Sequence, residues 1–438
     1  MEQPAQPAGL APIQVARLDL DGPEGAVLDF GPALGDADDR VADIAAGDVF
    51  TLVRLRGRPV ATVLCRIPAG TDPAEAVAAE ARALLAGTPP TAAPPAPTVE
   101  ARALPRTTVV VATRERAGQL ARAVDSLLAQ DHPDAEIVVV DNAPVTDATR
   151  HLIGHAYAGR VRYTREPVPG LAIAHNRGVA VADGEIVAFT DDDVIADPHW
   201  LTALTEPFAT DPRLGCTTGL ILPARLGTPA QILLESHGGF AKGFTPRLYD
   251  PAAPPADEAL FPFTAGSFGS GANMAFRTEV LKAVGGFDPA TGTGTPARGG
   301  DDLYAFVSVL AAGHRLRYSP EALVWHHHRE TWHDLRNQAY GYGAGLTAYL
   351  TAVLVRHPAL LPSLIGKLPH GLAHARTITA HRAGGDATVP GTHGAQNYPW
   401  PRHLSRLERR GMLAGPIGYV RARRRVRGVR PPWDGPTE

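Results

Sequence analysis

The chain has 438 residues, of which 44% are hydrophobic and 20% charged, and its formal net charge is −3. At roughly 150 residues per domain this length predicts two or three domains, and the composition excludes a chain that is disordered throughout. The near-neutral charge argues against a nucleic-acid partner, and two distant cysteines, Cys65 and Cys216, exclude a disulfide scaffold.

The N-terminal part predicts a small accessory domain over residues 1–87. Two apolar runs, 49–53 and 60–64, flank a short polar turn and predict a hairpin, and an alanine-rich helix follows at about 73–85. We find no catalytic group of residues there. Residues 88–105 are rich in proline and alanine, which predicts an extended linker.

Apolar strands alternate with amphipathic helices over residues 106–350. Strands are predicted at 107–111, 137–140, 160–163 and 185–189. This alternation predicts an α/β domain, Rossmann-like, whose central sheet is mostly parallel and has helices on both sides. Ligands of such sheets bind beyond the carboxyl ends of the strands, so the polar residues that follow the strands are the candidates for function.

Three of these strand ends carry polar residues. The first is followed by 113–116, the second by Asp141 and Asn142, and the fourth by the acidic triplet 191–193. Three adjacent carboxylates repel one another and need a cation nearby. Oxygen ligands at i and i+2 suit Mg²⁺ or Mn²⁺, whereas the alternative is an acidic turn that caps the next helix.

The segment from Thr107 to Gly345 resembles the family 2 glycosyltransferases, which have the GT-A fold. The resemblance rests on six stretches that occur in order: VVVATRERAGQL, IVVVDN, GLAIAHNRGVAVADGEIVAFTDDD, SGANMAFRTEVLKAVGGFD, RGGDDLYAF and VWHHHR. It implies an inverting, metal-dependent enzyme that transfers a sugar from a UDP-, GDP- or dTDP-sugar to an acceptor hydroxyl.

The resemblance also implies a donor site. Asp191 and Asp193 hold the divalent cation, Mn²⁺ or Mg²⁺, that bridges the diphosphate of the donor. The nucleoside and phosphates are expected to lie against Thr113, Arg114, Glu115, Asp141 and Arg177. Asp192 is a candidate for contact with the ribose. Asp141 could instead form a turn, Arg177 could lie on the surface, and Glu115 could support the next helix.

The second half of this segment predicts the acceptor side. Asn273 lies among small residues that allow the backbone to approach a sugar ring, although a bulged strand is an alternative. Asp301 and Asp302 open a helix, where carboxylates also favour the helix dipole. The resemblance makes Asp302 the general base and places Asp301 where relatives usually have glutamate.

Three consecutive histidines, His326 to His328, follow a short strand near the end of the segment. The resemblance implies that one of them is a third protein ligand of the metal. Strand alternation places His326 and His328 on the same side. We select His326, with His328 as the alternative.

The remaining residues, 351–438, predict a helical or irregular extension that ends in a basic tail. Its arginine cluster, between 421 and 427, is either a solvated tail, which we favour, or a contact for anionic lipid headgroups. No secretory signal or spanning segment is evident, so we expect a cytoplasmic protein, with the inner face of the membrane as the alternative. The acceptor (a small molecule, a glycan or a lipid-linked sugar) and the oligomeric state stay open.

Two other functions remain as alternatives. A nucleotidyltransferase also uses an α/β sheet with acidic metal ligands, but it usually has a glycine-rich basic loop where this chain has ATRERAG. A non-catalytic sugar- or nucleotide-binding module is disfavoured because Asp191, Asp193, Asp302 and His326 are all retained.

Overall fold

The computed structural model describes residues 10–22, 25–31, 47–87, 104–236, 239–367, 369, 392–393, 400–429 and 431–433. Every structural statement below refers to these residues. The expected linker at 88–105 therefore lies outside them, apart from its last two residues.

The N-terminal residues form a sheet covered on one side by a helix. Its elements are β1 (Gln14–Gly22), β2 (Gly25–Phe30), β3 (Gly47–Leu55), β4 (Arg58–Ile67) and α1 (Pro73–Gly87). The predicted hairpin is β3–β4, and Arg56 and Gly57 turn between these strands with φ of 53° and 72°. The sequence analysis did not predict β1 or β2, which pair with each other and, through β1, with β3.

The central sheet has nine strands: β5 (Thr107–Thr113), β6 (Ala135–Asn142), β7 (Arg162–Glu166), β8 (Ile186–Asp191), β9 (Val194–Ala196), β10 (Leu214–Pro223), β11 (Arg247–Tyr249), β12 (Asn273–Arg277) and β13 (Arg315–His326). Their order is β11-β13-β10-β12-β8-β5-β6-β7, with β9 paired to β13. Strands β5 to β8, β10 and β13 share one direction, while β9, β11 and β12 run against them. The expected mostly parallel sheet is confirmed.

Helices cover both faces of this sheet: α2 (Ala117–Leu128), α3 (Ala148–Ala156), α4 (Leu171–Val181), α5 (Trp200–Thr210), α6 (Pro229–Ser236), α7 (Ala265–Phe268), α8 (Thr278–Ala283), α9 (Asp301–Ala311) and α10 (Trp332–Arg356). The continuous apolar run of β5 follows from this, since Val110 packs into one core while Val109 and Val111 pack into the other. Gly178 lets α4 approach β5, because a Cβ there would lie 2.3 Å from the Val110 side chain.

The N-terminal sheet packs against the central sheet. Phe50 and Leu52 of β3 share an apolar core with Leu220, Leu222 and Trp325. Arg54 also pairs with the buried Asp197, which lies just after β9. The accessory unit therefore supports the β10–β13 side of the larger sheet.

A pair of long helices forms the C-terminal part: α10 and α11 (Arg402–Arg425). Glycines allow their close contact, since a Cβ at Gly411 would lie 2.1 Å from the Tyr340 carbonyl oxygen. A further short strand, β14 (Thr392–His393), adds to the N-terminal sheet beside β4.

Within the described residues no single helix combines the length and apolarity needed to cross a membrane. The segments Trp332–Arg356 and Pro358–Lys367 have the required length and apolarity only when taken together, and the chain bends by 108° between them.

Candidate active site

A cavity of about 1000 Å³ opens at the carboxyl ends of the central strands. Asp191 at the end of β8 and His326 at the end of β13 form one wall, and Asp301 and Asp302 at the start of α9 form another. Helix α10 also lines this cavity. The topology thus brings together residues that are up to 135 positions apart in the sequence, in the place where an α/β sheet binds its ligands.

Asp191, Asp193 and His326 form one group. Each can offer a ligand atom, and these atoms all lie within 4.8 Å of one another. The strand pairing explains this arrangement. Strand β9 directly follows the acidic turn and pairs with β13, so that Val194 lies opposite His326. The His327 backbone N–H also donates to the Asp193 carbonyl oxygen at 2.9 Å. Strand pairing therefore fixes the acidic turn beside the histidine.

Two arginines compensate part of the charge of the acidic triplet. The Arg116 guanidinium lies 3.0 Å from an oxygen of Asp192 and 3.4 Å from one of Asp193, and Arg329 lies 3.2 Å from Asp193. Burial alone would raise the pKa of Asp193, but the charges of His326, Arg329 and Arg116 outweigh burial and leave that pKa below the usual value. Burial and the other two carboxylates hold the pKa of Asp191 well above its usual value. Two guanidinium groups do not compensate three carboxylates fully, so the cluster can bind one more cation.

A second histidine, His328, contacts the ring of His326. Its Nδ1 lies 3.0 Å from Nδ1 of His328, and Nε2 of His328 lies 3.0 Å from a carboxylate oxygen of Glu235. Burial lowers the pKa of His326 to about 4, so the ring is neutral near pH 7 and its Nε2 lone pair can bind a metal. His328, the alternative ligand, points to Glu235 and not to the aspartates.

The hydrogen bonds from His326 to His328 and from His328 to Glu235 leave His326 able to bind a metal. If His326 Nε2 is free, its Nδ1 carries the proton and donates to His328 Nδ1. His328 then carries its own proton on Nε2 and donates to Glu235. A carboxylate behind a ligating histidine commonly fixes the tautomer in this way. Two carboxylates and one neutral imidazole are a donor set that suits Mn²⁺ or Mg²⁺, so the residues present fit a divalent cation.

Asp302 lies at the start of α9 and has a raised pKa. One of its oxygens accepts from the Gly271 N–H at 2.9 Å and the other from the Leu303 N–H at 2.8 Å. Burial, followed by the charge of Asp301, raises the pKa of Asp302 to about 6. Asp301 itself is buried, and one of its oxygens lies 3.4 Å from Nδ1 of His175. A carboxyl group with these properties can accept a proton near neutral pH.

Three predicted donor residues lie at adjacent strand ends. Thr113 of β5 is paired in register with Asp141 of β6, and its neighbour Ala112 with Asp191 of β8. The Thr113 hydroxyl donates to Asp192 at 2.7 Å. Asp141 is fully buried and accepts from the Tyr163 hydroxyl at 2.9 Å, while its other oxygen has no partner. Burial raises the pKa of Asp141. This oxygen is an unused acceptor, but Asp141 does not itself line the cavity.

Four residues that were predicted to contact the donor or the sugar make other contacts or lie exposed. Glu115 accepts from the N–H groups of Val145 and Thr146 and so clamps the loop after β6. Arg114 is exposed beside it. Arg177 lies on α4 and donates to the Thr164 hydroxyl of β7 at 3.2 Å. It does not line the cavity.

Asn273 is the fourth residue placed differently, and here the structure corrects the expectation of a sugar contact. Its amide donates to the carbonyl oxygens of Leu220 and Ala322 at 2.9 and 2.7 Å and accepts from the Trp200 indole at 2.8 Å. These bonds join β12 to β10 and β13, so the side chain is committed to the sheet.

Sequence reasoning missed several residues of this site. Arg116 and Arg329 lie inside the stretches that carry the resemblance, but 39 of the 42 basic residues are arginine, which hides the two that matter. His175 is packed between Phe189 and Phe287 beside Asp301. Glu235 lies on α6, 91 residues before His326, and nothing in the sequence indicates its contact with His328.

Part of the chain is similar to a known family. Residues 108–285 match the family described as "Glycosyl transferase family 2". The match covers 178 of the 438 residues. It ends before α9 and β13, so the placement of Asp302 and His326 beside the matched segment comes from the structure and not from the family match.

Two curated relatives are similar to part of this chain. An uncharacterized glycosyltransferase of Nostoc sp. is 32% identical over 188 residues, which are 41% of this chain and 53% of that protein. The pre-mycofactocin glycosyltransferase of Mycobacterium tuberculosis is 30% identical over 258 residues, which are 57% of this chain and 48% of that protein. The chain thus spans about half the length of these relatives.

Solved structures are also similar. One of them is the mannosyltransferase PcManGT from Pyrobaculum calidifontis in complex with GDP-Man and Mn²⁺, which is 20% identical. The likeness covers 78% of this chain and 93% of that one, with a TM-score of 0.47. A likeness of this size says nothing about what this chain binds.

Proposed function

We propose that this chain is a metal-dependent, inverting glycosyltransferase that moves a sugar from a nucleoside diphosphate to an acceptor hydroxyl. One observation carries the proposal: a group suited to a divalent cation and a carboxyl group with a raised pKa face the same cavity. The match of residues 108–285 to the glycosyl transferase family 2 supports glycosyl transfer. The inverting course and the type of donor are our inference from the side chains.

The donor side is formed by the ends of β5, β6 and β8. The unpartnered oxygen of Asp141 can accept a ring N–H of the base, while Thr113 holds Asp192 in place at the neighbouring strand end. Arg116 and Arg329 border the cavity beside the acidic turn. Their guanidinium groups can donate to phosphate oxygens, for which arginine is well suited.

Asp191, Asp193 and His326 are the residues that would hold the divalent cation. When bound, this cation stabilises the negative charge that develops on the departing nucleoside diphosphate. The protein positions these ligands through the pairing of β9 with β13 and through the contact of His326 with His328. Asp192 is bound to Thr113 and Arg116, so we do not include it among the ligands.

Asp302 accepts the proton of the acceptor hydroxyl. The two backbone N–H groups that bind its oxygens orient the carboxylate toward the cavity and leave each oxygen able to accept a further hydrogen bond. In a single displacement the bond from the acceptor oxygen to the anomeric carbon forms while the bond to the diphosphate oxygen breaks. The proton moves to Asp302 and the anomeric centre inverts.

The test is to incubate the protein with Mn²⁺, a panel of UDP-, GDP- and dTDP-sugars and candidate acceptors. Thermal shift with Mn²⁺ first selects the donor. We expect release of nucleoside diphosphate, loss of that release on chelation, and a product whose anomeric configuration, measured by NMR, is opposite to that of the donor. A parallel incubation supplies nucleoside triphosphates and sugar 1-phosphates. Release of pyrophosphate there would instead show a nucleotidyltransferase, and donor binding without any release in either incubation would show a binding module.

Three further expectations remain proposals. The chain divides into an accessory domain at 1–87, a linker at 88–105, a catalytic domain at 106–350 and an extension at 351–438. We also propose a cytoplasmic location. The acceptor is a small molecule, a glycan or a lipid-linked sugar, and the oligomeric state is to be measured by light scattering.

A further inference from the structure

One exposed face of α11 carries large apolar side chains. Leu413, Ile417 and Val420 are 80%, 57% and 45% exposed. Their spacings of four and three residues place them on the same side of the helix. A contiguous apolar group of this kind on a surface helix marks a site of interaction when charged residues border it.

Arginines border this apolar group at both ends. With about 100° per residue in an α-helix, seven exposed arginines point within about 80° of the direction of Leu413: Arg402, Arg406, Arg409, Arg410, Arg421, Arg423 and Arg424. We call these residues, with Leu413, Ile417 and Val420, the arginine–apolar face. The single acidic residue of α11, Glu408, points to the opposite side, toward α10. In the described part of the chain no carboxylate pairs with these arginines.

The opposite side of α11 is firmly held, so the arginine–apolar face must point outward. Gly411, Gly415 and Tyr419 are buried, and a Cβ at Gly415 would lie 2.3 Å from the Ala344 carbonyl oxygen of α10. The Tyr419 hydroxyl donates to the buried Asp288 at 2.9 Å. Rotation of the helix to bury Leu413 would break these contacts.

The composition of the face selects its partner. Phosphate groups of a nucleic acid would satisfy the arginines but would leave Leu413 and Ile417 in water. An interfacial helix on a bilayer satisfies both, because its apolar side chains enter the boundary between headgroups and acyl chains while its arginines meet anionic headgroups. The overall net charge is only −3, so the attraction is local to this helix.

We propose that the arginine–apolar face docks α11 on the surface of a bilayer that contains anionic phospholipid. The face ends near the cavity, since Arg425, the last residue of α11, lines it. Docking would therefore place this side of the cavity close to the membrane surface. The proposal concerns binding and does not depend on the proposed reaction.

The test is co-sedimentation of the full chain with vesicles of phosphatidylcholine, with or without phosphatidylglycerol, at low and high salt. We expect binding only to the anionic vesicles, weakened by salt. Because a juxtamembrane arginine contributes about fivefold in partitioning, Arg421→Gln/Arg424→Gln should bind about 30-fold more weakly. Leu413→Ser/Ile417→Ser should also weaken binding, and more so at high salt, where the apolar contribution dominates.

Matched controls separate this face from general effects. Arg82→Gln/Arg150→Gln removes two exposed arginines elsewhere, and Val145→Ser removes a side chain as exposed as Leu413. Both should bind vesicles like the parent protein, and circular dichroism should show that all variants fold. Equal binding to neutral and anionic vesicles, equal losses in the controls, or a dimer that is broken by Leu413→Ser without any vesicle binding would overturn the proposal.

Discussion

Two acidic groups face the same cavity, and their charges are compensated in different ways. The triplet 191–193 contacts the guanidinium groups of Arg116 and Arg329. Asp302 accepts hydrogen bonds from two backbone N–H groups, and its neighbour Asp301 lies beside His175. Lys242, which also lines the cavity, is close enough to interact with the charge of Asp302. Nearby positive charges keep the pKa of Asp193 below its usual value, although burial raises the pKa of Asp191 and Asp192. Burial raises the pKa of Asp302 to about 6, so this carboxyl group can take up a proton.

This difference explains how one cavity can hold a cation and also accept a proton. If the two groups were compensated alike, both would bind cations or both would be protonated near neutral pH. The environment of each, and not the residue type, separates their roles. Substitutions in either group should therefore affect different measurements.

The largest effect is expected for Asp302→Asn. The amide keeps the shape of the side chain but cannot accept the acceptor proton, and loss of a general base typically lowers the rate by about 10²–10⁴-fold. Transfer should fall by this factor while Mn²⁺ and donor binding, measured by calorimetry, stay unchanged. A variant with the parent rate would remove Asp302 from the role of base.

Asp193→Ala should act on the other group. Loss of a residue that contacts a metal ligand typically weakens metal binding by about 10–100-fold. Removal of a ligand itself should weaken Mn²⁺ binding by more than this, because Arg116 and Arg329 then meet no carboxylate at this position. The measurement is the Mn²⁺ dissociation constant by electron paramagnetic resonance, which needs no activity. Asp193→Asn is the matched variant of similar shape, and unchanged affinity in both would contradict the ligand role.

Glu235 should have an intermediate effect on the metal group. If it fixes the tautomer of His328 and thereby of His326, then Glu235→Ala should weaken Mn²⁺ binding by about 10–100-fold. The amide oxygen of Glu235→Gln can still accept the hydrogen bond from the His328 Nε2–H, so this variant should lose less. Glu330→Gln changes an exposed carboxylate in the stretch after β13 and serves as the control. Equal losses in all three would show an effect of net charge alone.

The sequence predicted the strand ends well and the side-chain partners poorly. Asp141 and Asp191 follow apolar runs, and parallel pairing of those runs alone brings them to one edge of the sheet. The partners of Asn273 depend instead on where β10 and β13 lie, at separations of 53 and 49 residues. In the same way, the contact of Glu115 with the N–H groups of Val145 and Thr146 depends on where the loop after β6 lies. Such contacts are set by tertiary register, which no local pattern encodes.

The pH dependence is the smallest expected effect and the sharpest test of the comparison. Because burial and Asp301 raise the pKa of Asp302 to about 6, the base form is lost as the pH falls through this value. At saturating Mn²⁺, kcat/KM should be flat above about pH 7 and should fall about tenfold per unit well below pH 6. The profile is measured with the donor selected by thermal shift.

Asp301→Asn tests the cause of this inflection. Removal of the neighbouring negative charge takes away one of the two influences that raise the pKa of Asp302, so the inflection should move to lower pH. His175→Asn changes a residue on the far side of Asp301 and should move the inflection in the opposite direction, since any positive charge on that ring stabilises the Asp302 carboxylate. If the inflection instead follows the Mn²⁺ concentration, it belongs to the metal group, and the division of roles between the two acidic groups is wrong.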